Sequence, residues 1–167
     1  MGTARIKIKY GDIFKVKISD NEVCYLQYLA NDINQLNGDV IRVFKDRYKD
    51  EDTPSPEEVI NGEIDFYCHV FLKRGVQLGF WTQYAHSDNV GDLKKIYFKN
   101  YIDSFPCMTY WHAWNIYDSK LIEYKKLPRR FQNAFWGTLF QPSTVFHKIT
   151  TGRFYERKNI ADGDPIQ

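Results

Sequence analysis

The chain has 167 residues and a formal net charge of +2, a size that one domain fills and that buries a core without disulfide or metal staples. Aromatic residues make up 17%, which suits half-buried β-sheet surfaces, and no apolar run approaches the roughly 20 residues that span a bilayer. Three cysteines, Cys24, Cys68 and Cys107, are odd in number and far apart, which excludes a disulfide scaffold or a zinc knuckle and predicts small buried residues in a reducing compartment.

The first residues lack the apolar stretch of a signal peptide, and Ile6 stands where a myristoylation motif needs Ser or Thr, so a cytoplasmic protein is expected. The turn dipeptide Tyr10-Gly11 then feeds the apolar/polar alternation Ile13-Phe14-Lys15-Val16-Lys17-Ile18, a half-buried strand. Strands over 22–31 and 40–44 follow, separated by Ser19-Asp20-Asn21 and Asn37-Gly38-Asp39, so the chain opens as a β-meander. Residues 45–62 form a polar excursion. Inside it, Ser55-Pro56-Glu57-Glu58 predicts a capping box with proline at the first helical position, and Gly62 ends a helix of under two turns.

Residues 64–72 are apolar enough for a central strand; Lys73-Arg74-Gly75 turns the chain, and Gly79 begins another strand. Asn89-Val90-Gly91-Asp92 reads as a loop before a strand at Ile96-Tyr97-Phe98. A strong strand over 108–117 pairs back through Asp118-Ser119-Lys120 onto residues 121–124. In that strand Trp111 and Trp114 sit at odd spacing and face opposite sides. Residues 127–140 fit either a short helix or an irregular loop. Pro142 opens a helix with Val145, Phe146 and Ile149 on one face and Gly152 as its stop, and residues 159–167 read as a frayed tail. The expectation is one domain over 1–158, α+β and predominantly β: a curved antiparallel sheet or partly open barrel with two or three short helices.

Charge is unevenly spread. Residues 32–65 hold ten acidic and four basic side chains, and residues 119–158 hold nine basic and two acidic ones. Such asymmetry steers a charged partner or pairs within the fold. The four histidines show no spacing that aims two imidazoles at one ion, so no metal is expected. There is no Gly-x-Ser-x-Gly elbow and no glycine-rich phosphate loop. Cys68 and His69 are neighbours on a strand, face opposite ways and cannot pair as nucleophile and base. A hydrolase would need Asp65, His69 and His112 to converge in space. Lys125, Lys126, Arg129 and Arg130, interleaved with Leu127, Pro128 and Phe131 and joined by Lys158, define an alternative, a nucleic-acid-binding β-barrel module. The pI of 8.3 lies below that of a dedicated binder, so a solvated basic loop is the plainer expectation.

A set of landmarks spans nearly the whole chain in order: Gly11-Asp12-Ile13-Phe14, Val40-Ile41-Arg42-Val43-Phe44, Gly75 with Gly79-Phe80-Trp81, Asn89-Val90-Gly91-Asp92, Trp111-His112-Ala113-Trp114, and Lys148-Ile149-Thr150-Thr151-Gly152-Arg153-Phe154-Tyr155. In these the chain resembles a bacterial family of polymorphic-toxin immunity proteins, the one numbered 26. Some members of that family are described as organophosphate-hydrolysing phosphotriesterases. The well-known phosphotriesterase barrel uses a His-x-His metal site, and this sequence has none. The resemblance implies a cytoplasmic antidote that binds and occludes a cognate toxin domain, with no catalytic residues and no cofactor. For the toxin-facing surface the expectation is the acidic excursion, Asp46, Asp50, Glu51 and Asp52.

Overall fold

The structure, a computed structural model, describes residues 7–104 and 108–154. Cys107, Lys158 and the tail expected over 159–167 lie outside them. The opening meander forms as its alternation predicts: β1 (Asp12–Lys17), β2 (Glu22–Asp32) and β3 (Gly38–Phe44) pair antiparallel. With β4 (Tyr48–Lys49), β5 (Ile64–Val70), β6 (Thr82–His86) and β11 (Leu139–Phe140) they build a seven-stranded sheet of order β11-β5-β3-β2-β1-β6, with β4 on β2. A second sheet has the order β10-β7-β8-β9, from β7 (Tyr97–Ser104), β8 (Met108–Asn115), β9 (Ile122–Tyr124) and β10 (Phe135–Trp136). β11 and β10 join their sheets in parallel, so each sheet is mixed. The fold is α+β and predominantly β; neither sheet closes into a barrel.

Period-two patterning decides what each face of the large sheet meets. Phe14, Val16, Cys24, Leu26, Ile41, Val43, Phe66 and Cys68 face α2 (Leu72–Gln77) and α3 (Pro142–Thr151) and pack with Leu72, Trp81, Val145 and Ile149. The opposite face divides. At one end Ile13, Val23, Tyr25 and Phe44 are covered by Val59 of α1 (Pro56–Ile60). At the other end Leu29 and Val40 pack on Phe98 and Trp114 of the second sheet. Between them runs a polar row, Gln27, Arg42 and Tyr67, side by side on three strands. Arg42 is buried; it donates from Nε to Gln27 Oε1 at 2.9 Å and from Nη2 to the Asn89 carbonyl at 2.9 Å, which fastens the loop before β7.

The Ser55–Glu58 capping box forms in full, and Gly152 takes the left-handed conformation expected of a helix stop. Two segments differ from expectation. Residues 73–75 lie inside α2 rather than in a turn, because Trp81 folds back and donates its indole N–H to the Leu72 carbonyl at 3.0 Å. A Cβ at Gly75 would overlap that indole ring. The strand expected from Gly79 begins only at Thr82, since Gly79 adopts φ +78° and Trp81 is buried. The stretch 127–140, open to two readings in sequence, is a 3-10 turn (Arg129–Phe131) followed by β10 and β11.

Candidate functional site

Asp32 ends β2 where the two sheets meet, and its carboxylate gathers three donors. Oδ2 accepts from His69 Nε2 at 2.8 Å and from Trp114 Nε1 at 2.7 Å; Oδ1 accepts the Asn34 backbone N–H at 2.9 Å. Burial pushes this carboxyl up, but the hydrogen bonds from His69, Trp114 and Asn34 outweigh it and hold the group below its usual value. An ionised Asp32 makes Nε2 of His69 the protonated nitrogen, leaving Nδ1 buried without a partner. Asp32 and His69 are sealed from solvent and Trp114 is 1% exposed, with the His69 and Phe98 rings 4.2 Å apart. An Asp–His pair in an open cleft would orient a general base. Here it is a latch: one strand end of the large sheet holds the second sheet by its indole.

Of the three side chains a hydrolase would need to converge, Asp65, His69 and His112, the two histidines have other partners: His69 takes Asp32, while His112 Nε2 lies 3.7 Å from Glu123. Burial pushes the Cys24 thiol up to about 12 and raises Cys68 as well, so both are inert at neutral pH. Asp32 escaped the sequence reading because its partners lie 37 and 82 residues away, and no local pattern announces such a meeting.

The acidic excursion is partly committed within the fold. Asp50 is bridged to Lys15 at 2.7 Å and to Lys17 at 3.1 Å, and hydrogen bonds from these lysines hold its carboxyl below the usual range. Asp52 accepts the Lys49 backbone N–H at 2.8 Å, closing the turn after β4. Asp46 and Glu51 are exposed.

Among the described residues, two surfaces carry large side chains that are exposed or half-buried. The first lies at the β2–β3 turn, where Ile33 is 77% and Leu36 83% exposed beside Tyr117, 62% exposed, from the β8–β9 turn. The turns are tied together, as Asn34 Nδ2 donates to the Asp118 carbonyl at 2.7 Å. Leu36 and Asn37 hold φ of 54° and 55°, the left-handed region that side chains avoid. The Asn31 amide secures the turn from within, donating to the Asn37 carbonyl at 2.9 Å and to Asp39 Oδ1 at 3.0 Å. The result is a fixed apolar prominence. Its one sequence signal was the placing of Ile33 and Leu36 among turn residues.

The second surface is the outer face of the β10-β7-β8-β9 sheet. Phe98 and Trp114 point inward, so Tyr101, Trp111 and Trp136 point out. The Tyr101 and Trp111 rings are 5.0 Å apart, and Trp111 stacks on Trp136 at 6.2 Å. Lys99 lies in this layer over the Trp136 ring and donates to the Gln132 carbonyl at 2.7 Å. β9 and β10 are opposite edges, so the chain between them must cross the sheet. It crosses on this side, because Phe131 packs on Tyr97 and Tyr124. The crossing carries Lys125, Lys126, Arg129 and Arg130, all exposed, with Arg130 over the Phe131 ring at 4.7 Å.

In comparisons with models of protein families, with curated proteins and with solved structures, nothing matched the chain.

Proposed function

We propose that this chain is an immunity protein, which neutralises a cognate bacterial toxin domain by binding and occluding it. The observation that carries the reading is the prominence of Ile33, Leu36 and Tyr117. Large apolar side chains held out by a strained, internally hydrogen-bonded turn serve a partner surface better than they serve folding. The resemblance of the ordered landmarks to an immunity family supplies the kind of partner. The prominence replaces Asp50 and Asp52 as the centre of the contact, since those carboxylates are engaged by Lys15, Lys17 and the Lys49 backbone; Asp46 and Glu51 are left as its charged steering groups.

The test is a tagged pull-down from nuclease-treated lysate of the native cell, run in parallel with the double variant I33D/L36D. The expected result is a stoichiometric protein whose C-terminal domain is lethal when expressed alone and tolerated when the chain is co-expressed. The double variant folds, loses capture and loses protection. A captured domain that is harmless alone, or protection that survives I33D/L36D, overturns the reading.

A further inference from the structure

The immunity reading leaves the outer face of the second sheet unused, and that face is built unlike the rest of the surface. Three large rings, Tyr101, Trp111 and Trp136, adjoin one another across neighbouring strands. Aromatic side chains on an antiparallel sheet normally go under a helix or a second sheet, as Phe98 and Trp114 do on the inner face. Here the cover is a single crossing segment, and its buried ring, Phe131, lies over Tyr97 and Tyr124 rather than over Trp111 and Trp136.

The charges beside these rings are mostly positive. The crossing brings Lys125, Lys126, Arg129 and Arg130, all exposed, over the face, while Lys99 in the ring layer is buried and bonded to the Gln132 carbonyl. β9 carries one acid, Glu123, and its register opposite His112 turns it to the other side of the sheet. Asp103, exposed and two residues beyond Tyr101 on β7, is the acid that shares the outer face. Flat π-faces bordered by flexible cations match a ligand that alternates flat rings with anions.

We propose that this outer face is a binding platform for single-stranded nucleic acid, in which Tyr101, Trp111 and Trp136 stack bases and Lys125, Lys126, Arg129 and Arg130 hold the phosphates. Stacking accepts any base because every base has a π-face, so the platform discriminates single strands from duplex rather than one sequence from another. A duplex hides its base faces and offers phosphates alone. The proposal is independent of toxin binding, as it uses none of Ile33, Leu36 and Tyr117.

The experiment is fluorescence anisotropy with fluorescein-labelled 15-nucleotide oligouridylate and oligothymidylate, a 15-base-pair DNA duplex, and a 15-residue oligoglutamate. Titrations run from 25 to 200 mM NaCl with tryptophan emission followed in parallel. The expected result is micromolar binding of the single strands, with quenched tryptophan emission and at least tenfold weaker binding of the duplex. If all four cations engage, the log–log salt slope is about −3, at about 0.7 per phosphate. R129E/R130E, two exposed substitutions, weakens binding at least tenfold at low salt with an unchanged melting temperature. W111A weakens it at least fivefold with a smaller change in salt slope. The comparison of oligouridylate with oligothymidylate separates RNA from DNA as the preferred strand. No anisotropy change for either single strand at 100 µM protein and 25 mM salt overturns the proposal. So does equal affinity for the duplex, or oligoglutamate binding as tightly with the same quenching, which would make the face a dock for an acidic protein.

Discussion

Trp114 and Trp111 lie three residues apart on β8, yet they belong to different worlds. Trp114 points inward, is 1% exposed, packs on Phe98 and spends its indole N–H on Asp32. Trp111 points outward into a ring layer with Tyr101 and Trp136, bordered by lysine and arginine. The inner face is closed in its hydrogen bonding but for His69 Nδ1, and closed in its packing. On the outer face Tyr101, Trp111 and Trp136 are half-buried under the crossing segment, and Lys125, Lys126, Arg129 and Arg130 of that segment are exposed. Buried titratable groups need not mark a reactive site. The most conspicuous of them, Asp32 and His69, hold the sheets together, while the surfaces free to act are apolar or aromatic.

If the inner face is a latch, breaking it has the largest effect on stability. Asp32→Ala leaves His69 Nε2 and the Trp114 indole N–H buried without an acceptor, and should remove about 3–5 kcal/mol in urea unfolding. A loss under about 1 kcal/mol would show that the carboxylate is dispensable. The same group sets an acid response. Its folded pKa lies below the unfolded one, so its contribution is present above the unfolded carboxylate pKa and lost as pH falls through the folded value. Wild-type stability should therefore decline in acid more steeply than that of Asp32→Ala. Parallel pH profiles would rule this out.

A smaller effect tests the packing of the same indole. A Cβ at Gly137 would overlap the Trp114 ring, so Gly137→Ala should destabilise by about 1–3 kcal/mol and shift the buried tryptophan's emission. The two tryptophans can also be compared directly. Trp114→Phe strands the Asp32 carboxylate of one donor and should lose about 1–2 kcal/mol, whereas Trp111→Phe should stay within about 0.5 kcal/mol. Equal losses would mean that the outer layer is core and not surface.

Much of this fold was legible because it is local. The alternation in β1, the Ser55 capping box and the Gly152 stop each lie within a few residues, and the opposite facing of Trp111 and Trp114 follows from strand period alone. What escaped depends on distant partners. α2 forms over Lys73-Arg74-Gly75 because Trp81 reaches back to Leu72, and β10 and β11 exist only because β7 and β5 are there to pair with them. The candidate site divides in the same way. The basic run at 125–130 was plain in sequence, but its position across an aromatic face follows from β9 and β10 being opposite edges of one sheet. The acidic run was equally plain, and the pairing of Asp50 with β1 lysines 33 and 35 residues away was not.

The smallest effect should carry the opposite sign. Leu36 holds φ 54° with its side chain 83% exposed, so it bears the steric penalty of the left-handed region and gains little burial in return. Glycine adopts that conformation without the Cβ clash, though it also gives the unfolded chain more freedom. Leu36→Gly should therefore stabilise the isolated protein slightly, by about 0.5 kcal/mol, read as a rise in melting temperature of a degree or two. Cavity-forming truncations on the inner face can never do this, because there each side chain removed takes buried contacts with it. On the proposed immunity reading, the same substitution should also abolish protection against the toxin, since it deletes the most exposed apolar group of the prominence. A variant that is more stable and less protective would mark the β2–β3 turn as shaped for a partner at the expense of the fold. A loss of stability would mean that Leu36 packs against something in the free protein, and the prominence would then belong with the latch rather than with the open surfaces.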